Sequence, residues 1–174
     1  MKELFVLDKR NYNPDGSVGR RPSVRGIILR DGKIAMMYSR KYNYYKLPGG
    51  GIEGEETLEE TLIREVREES GLIVKPKTIK EFGYVKRIEK GLFEDIFIQE
   101  NFYYTCDAEE LMAEQELDKY EAEEEFVLQF VPISYAIEVN NFGEHFEKDE
   151  IVTFKGMLDR ENKVLKLLQE EFNL

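Results

Sequence analysis

The stretch GGIEGEETLEETLIREVREESGL, residues 50–72, holds a complete helix with both ends marked. Thr57-Leu58-Glu59-Glu60 fits the capping box, in which Thr57 receives the Glu60 amide and the Glu60 carboxylate reaches back. Gly71 stands where a helix ends in a left-handed residue. Between these marks, Leu58, Leu62, Ile63 and Val66 form one apolar stripe, which predicts a helix over Leu58–Ser70. At about 100° per residue, Glu65, Glu68 and Glu69 share a separate arc roughly 100° wide. Neighbouring like charges there cost about 0.2–0.5 kcal/mol per pair. Glu68 and Glu69 also oppose the helix dipole in the last turn, by about 0.3–1 kcal/mol each. Local physics does not favour three carboxylates in that place without a cation.

Magnesium takes oxygen ligands, often a few carboxylates together with substrate phosphates. In front of the helix stands LPGGGIEGEE, Leu47 to Glu56, whose three consecutive glycines let backbone approach a ligand or a helix closely. The pairing suits a metal–diphosphate site. The P-loop pattern GxxxxGK[ST] is absent, so a lysine-based phosphate cradle is not expected. A solvated helix face balanced by Arg64 and Arg67 reads the local pattern equally well, and Glu60 with Arg64 forms an ordinary i,i+4 pair.

Outward from the helix, Val24 to Leu29 and Lys33 to Tyr38 read as strands joined by the hairpin pair Asp31-Gly32. Asn13 to Pro22 reads as a loop, and Leu4 to Leu7 as a short strand. Further strand-like segments run at Phe82 to Ile88, Asp95 to Thr105 and Phe126 to Val131. Helices are expected after Pro132 and from Asp149 to Phe172, where Ile151, Phe154, Leu158, Leu165 and Leu168 repeat at helical spacing and Gly156 is a candidate break. The order predicts an α+β fold packed in layers. A length of 174 residues fits a single domain, 1–174, that buries about 70% of its unfolded surface without disulfide or structural metal.

Thirty-six acids against 25 bases give a net charge of −11, which argues against a nonspecific nucleic-acid binder. The charge is uneven. Residues 1–49 carry eleven bases and four acids, residues 50–72 two bases and eight acids, and residues 107–125 one base and ten acids. Two acidic islands thus sit on a mildly basic chain. Leu111, Met112 and Leu117 make no clean stripe in the second island, which is expected as a solvated excursion. A lone cysteine, Cys106, excludes an internal disulfide and fits a reducing cytoplasm. A single histidine, His145, disfavours a Ser–His–Asp triad. MKELFVLDKR lacks the apolar core of a secretory leader, and the uncharged run from Phe126 to Ile137 is shorter than the roughly 18 residues of a membrane span. A cytoplasmic protein with no membrane partner is expected.

Gly50, Glu56 and Arg64-Glu65-Val66-Arg67-Glu68-Glu69-Ser70-Gly71-Leu72 match the pattern G-x5-E-x7-R-E-U-x-E-E-x-G-U at all nine specified positions, where U is a bulky aliphatic residue. This resembles the Nudix box of the MutT-like hydrolases. The resemblance implies an α/β/α sandwich around a mixed sheet, and hydrolysis of the pyrophosphate linkage of a nucleoside diphosphate joined to another group. It implies that Glu65, Glu68 and Glu69, with the Gly50 carbonyl, hold Mg²⁺ or Mn²⁺. Glu65 is a candidate general base, and Arg64 with Glu56 a supporting pair that orients the carboxylates. The tryptophan many relatives carry near Phe130 is missing.

A nucleoside triphosphate or modified nucleotide is the first substrate class, with a nucleotide sugar of the ADP-ribose type as alternative. A Nudix domain that senses a nucleotide without turnover is a further reading, and a homodimer is left open. Relatives often use another carboxylate outside the box. Glu94, Asp95 and Glu100 are candidates, as is the second island, where Glu123 or Glu125 is preferred. For base stacking the candidates are Tyr42, Tyr44, Tyr45, Phe82 and Tyr84; for substrate phosphates, Arg20, Arg21 and Arg25.

Overall fold

Val24 to Leu29 forms two strands, β3 (Ser23–Ile27) and β4 (Leu29–Arg30), because the chain changes sheets at Ile28. The Ile27 carbonyl still receives the Cys106 amide of one sheet, while the Ile28 carbonyl receives the Ala35 amide of the other. Asp31 and Gly32 follow, both with positive φ (51° and 71°), the backbone a two-residue hairpin turn needs. The computed structural model describes residues 1–145 and 152–174.

One sheet holds β1 (Glu3–Asp8), β2 (Val18–Arg20), β3, β8 (Lys80–Glu89) and β9 (Ile96–Thr105). It is mixed: β8 and β9 are antiparallel, β1 runs parallel to β8, and β2 and β3 run parallel to β9. The second sheet is antiparallel and joins β4 to β5 (Lys33–Ser39), β6 (Tyr44–Lys46) and β11 (Phe126–Val131). A small ladder pairs β7 (Leu72–Val74) with β10 (Ala108–Met112). Helix α1 (Leu58–Ser70) covers one side of the sheets; α3 (Ile133–Phe142) and α4 (Val152–Phe172) cover the other. The expected α+β sandwich is the fold.

Alternation along β5 fixes the layers. Ile34 and Met36 enter the core shared with α3 and α4, whereas Ala35 enters the core under α1. A strand buried on both faces reads as a continuous apolar run. Val24 and Ile28 likewise meet Leu62 and Val66 of α1, while Ile27 meets Leu165 and Leu168 of α4.

Three expectations need correction. Asn13 to Pro22 is not loop throughout, since β2 adds an edge strand against β9. Gly156 does not break α4; a Cβ there would lie 2.5 Å from the Glu89 Oε2, so the glycine admits a buried carboxylate under an unbroken helix. Residues 149–151 of the expected helix lie outside the described residues. The second island is not simply solvated. It pairs as β10, and then Asp118 caps a short helix, α2 (Lys119–Glu123), through a capping box with Glu121. Among the described residues no helix is long and apolar enough to cross a membrane.

Candidate active site

Helix α1 has both expected ends. The Thr57 side chain accepts from the Glu60 amide, the Glu60 carboxylate from the Thr57 amide, and Gly71 takes φ 74°. Its apolar stripe lies so close over β3 that a Cβ on Gly26 would sit 2.8 Å from Val66 Cγ2. The glycine loop is fixed from three sides. The Leu47 amide donates to the buried Glu161 of α4 at 2.7 Å, and the Gly49 amide to Glu69 Oε2 at 2.9 Å. Gly49 takes φ 133°, with space for a Cβ closed by the Val24 carbonyl at 2.2 Å. A Cβ on Gly50 would lie 2.3 Å from Glu65 Oε2, so the Glu65 carboxylate rests on loop backbone that only glycine leaves open.

Arg64 organises the carboxylates around it. Its Nε and Nη2 donate to the two Glu56 oxygens at 2.6 and 2.8 Å. Its Nη1 donates to Glu65 Oε1 at 2.9 Å and Glu68 Oε2 at 3.0 Å, and Nη2 also reaches the Gly51 carbonyl at 3.0 Å. The bidentate Arg64 contact holds the Glu56 carboxyl down at about 2. Burial raises Glu65 despite the same arginine. Arg64→Ala should therefore free Glu65 and Glu68 to move and weaken metal binding by about 10–100-fold, the usual scale for removing a group that orients ligands. Isothermal titration with Mg²⁺ or Mn²⁺ checks this, and unchanged affinity would count against the supporting role.

Glu69 is 2% exposed, and its other oxygen, Oε1, meets Lys46 Nζ at 2.8 Å. Lys46 is a group the sequence reading did not single out. It is buried, donates also to Glu121 at 3.0 Å and to the Tyr120 hydroxyl at 3.1 Å, and lies 4.4 Å from the Phe126 ring centre. Burial opposes its charge, but Glu69, Tyr120 and Glu121 outweigh that and raise its pKa. Burial, then the neighbouring Glu69, pushes Glu121 up to about 7.

These groups border a cleft of about 470 Å³, lined by Gly50, Arg64, Glu65, Glu68 and Glu69 together with Arg20, Arg21, Arg25, Lys46 and Glu121. Arg25 is 9% exposed, and its Nε and Nη1 have no partner among the described residues. Buried guanidinium donors left open at a cleft wall suit an anionic ligand. Of the carboxylates considered outside the box, Glu123 and Glu125 are exposed and outside the cleft, and Glu121 stands in it instead. The Asp118-to-Glu121 spacing marks the helix start that carries Glu121, while the contact that draws its carboxylate inward is with Lys46, far away in sequence. Asp95 instead binds the Ser17 amide at 2.9 Å; Glu94 lines a neighbouring groove, and Glu100 lines neither.

The aromatic candidates fall elsewhere. Tyr44 and Tyr45 are buried, with Tyr44 bonded to Glu124 at 2.7 Å and Tyr45 to Gln129 at 2.7 Å. Tyr42 packs against the cluster of Tyr44, Phe126 and Phe154; Phe82 stacks on Phe172, and the Tyr84 hydroxyl binds Glu3. None of the five lines the cleft, where Tyr120 is the aromatic wall.

The donor set fits a hard divalent cation. Glu65, Glu68, Glu69 and the Gly50 carbonyl are all oxygen donors. The Gly50 carbonyl accepts the Val24 amide at 2.9 Å and keeps a second lone pair; Glu69 likewise has acceptor sites beyond its two hydrogen bonds. Among the described residues, no three acidic, histidine or cysteine side chains already converge as a cation cage. Arg64 and Lys46 hold the carboxylates in place of such convergence.

A mixed sheet thus lies between helices, with a glycine loop pressed onto a carboxylate-bearing helix. The NUDIX domain model matches residues 19–153, most of the chain, and the chain belongs to that family. An ADP-ribose pyrophosphatase of Methanocaldococcus jannaschii is 48% identical over 61 residues, 33% of this chain and 36% of that protein. An RNA pyrophosphohydrolase of a Marinomonas species is 45% identical over 56 residues, 31% of this chain and 34% of that protein. The matched segments thus span about a third of these curated relatives' length. Among solved structures, a mutator MutT protein from Bacillus halodurans superposes with a TM-score of 0.55 at 19% identity, covering 81% of this chain and 84% of that one. That likeness is one of fold.

Proposed function

We propose that the chain is a Mg²⁺- or Mn²⁺-dependent hydrolase of the pyrophosphate linkage in a nucleoside diphosphate joined to another group. Nucleoside triphosphates or modified nucleotides are the first substrate class. The observation that carries this reading is the box itself, folded so that the Glu65 carboxylate lies on the Gly50 backbone in a cleft shared with Glu68, Glu69 and Arg25. Gly50, Glu65, Glu68 and Glu69 would hold the metal, which when bound neutralises diphosphate oxygens and stabilises charge developing on them.

The chain's own groups supply the rest. Arg25, with two unpartnered donors, binds a phosphate oxygen. Water attacks phosphorus in line; the new P–O bond forms as the anhydride P–O bond breaks, and the water proton passes to a carboxylate, Glu65 or Glu121. No covalent protein nucleophile is needed. Arg64 and Glu56 keep the carboxylates in place through the bonds described above.

A nucleotide sugar of the ADP-ribose type is the second reading, favoured by the similarity to the archaeal ADP-ribose pyrophosphatase over a third of the chain. A panel of nucleoside triphosphates, modified nucleotides, ADP-ribose and 5′-triphosphate RNA, assayed with and without Mg²⁺, decides between them. Metal-dependent release of a nucleoside monophosphate is expected from at least one member. Tight binding of a nucleotide with no product from any of them would replace hydrolysis by sensing.

A further inference from the structure

Beside the cleft runs a second groove of about 440 Å³, and the two share Arg20, Arg21 and Gln99. Strand register explains the continuity. Gly19 of β2 lies opposite Phe97 of β9, and Arg87 of β8 lies opposite Gln99. The two-residue repeat of a strand puts Phe97, Gln99 and Asn101 on one face. Asn101 Oδ1 in turn receives the Ser23 hydroxyl at 2.8 Å, and Ser23 lines the cleft. One sheet face therefore runs unbroken from the carboxylate cleft into the groove.

The chemistry of this groove differs from that of the cleft. Its floor carries the buried Arg87 guanidinium 5.5 Å from the Phe97 ring centre. Its lip is the tip of the β8–β9 hairpin, where Leu92 and Phe93 are 73% and 94% exposed. A lone exposed apolar side chain needs no explanation. Two neighbours on the rim of a groove that opens onto a phosphate-handling cleft indicate a ligand surface. Glu94, the next residue, folds inward over Gly19, where a Cβ would lie 2.8 Å from its Oε1. Aromatic, acceptor and cationic groups are thus arranged in order along one path.

We propose that this groove is the subsite for the substrate's nucleobase, which stacks on Phe93 and offers N–H groups to Glu94 while Arg20 and Arg21 take phosphate oxygens on the way to the cleft. The proposal rests on the nucleotide reading above and narrows it: the base lies toward the hairpin tip, away from Tyr120 and α2. Stacking on an aromatic side chain is worth about 1–3 kcal/mol per base. Phe93→Ala should accordingly raise KM for nucleotide substrates about tenfold and leave kcat nearly unchanged.

A readout independent of turnover is available because the chain contains no tryptophan. Phe93→Trp places a single fluorophore on the lip, and Phe142→Trp places a control on an 83% exposed residue at the end of α3. AMP and GMP, titrated with Mg²⁺ present, should quench the first reporter saturably and leave the second unaffected. Ribose 5-phosphate and inorganic diphosphate should quench neither. Equal quenching by ribose 5-phosphate would overturn base stacking, as would saturable nucleotide binding by calorimetry without quenching. Turnover on the panel without a Phe93 signal would overturn the groove assignment alone. Absence of all turnover with a saturable signal would sink the hydrolase reading and keep the subsite.

Discussion

Glu69→Gln is expected to lower kcat for Mg²⁺-dependent nucleotide hydrolysis by about 100-fold or more, with KM changed much less. The carboxylate is 2% exposed, and each oxygen has a donor, Lys46 Nζ at 2.8 Å and the Gly49 amide at 2.9 Å. Glutamine keeps the shape and removes the charge. Either amide orientation then turns an NH₂ group toward one of those donors, which costs about 1–3 kcal/mol for a buried group left unsatisfied. The variant should still fold, so the assay must be accompanied by circular dichroism and a denaturation curve. A folded variant with wild-type kcat across the nucleotide panel would remove Glu69 from the site.

The helix and its ends were legible because each mark is local. Thr57, Glu60 and Gly71 act within a turn of their own position, and the apolar stripe has one period. Gly50 was legible as a close-approach residue, although sequence did not show that Glu65 is what approaches. The strand break at Ile28 was hidden, because Ile27, Ile28 and Leu29 are apolar in a row whether one sheet receives them or two. Tyr44 and Tyr45 looked available for stacking, but burial on both sides of β6 places them in cores shared with α3, Phe126 and Phe154. Lys46 and Glu121 are 75 positions apart in sequence, and only the packing of α2 against β6 and α1 brings them together. Their partnership has no local signature. The second island keeps its acids for two reasons: most stay in solvent, while Glu121 and Glu124 are turned inward.

Lys46→Met tests that partnership and is expected to cost about 3–5 kcal/mol at neutral pH, the scale of leaving a buried charge without its partner. Methionine has comparable length and suits the rings of Tyr120 and Phe126, so the loss reports charge more than volume. Glu69 and Glu121 would then share a buried site, with Arg25 still in electrostatic reach of Glu69. The sign with pH follows from Glu121, whose folded pKa is already raised to about 7 above its usual value near 4.5. A raised carboxyl favours the fold while protonated, so its stabilising proton is fully present below about pH 4.5 and lost as pH rises through about 7. Removing the lysine takes away a cation that lowers Glu121, and so raises that carboxyl further. The variant's deficit should therefore be small near pH 4.5 and grow toward pH 8, when measured by urea denaturation at each pH. Lys46→Met/Glu121→Gln should recover much of the loss at pH 8, because one buried negative charge is gone, and the pair should be strongly non-additive in a double-mutant cycle. A single-mutant loss below about 1 kcal/mol, or additivity within about 0.5 kcal/mol, would mean that the carboxylates at the cleft do not depend on Lys46.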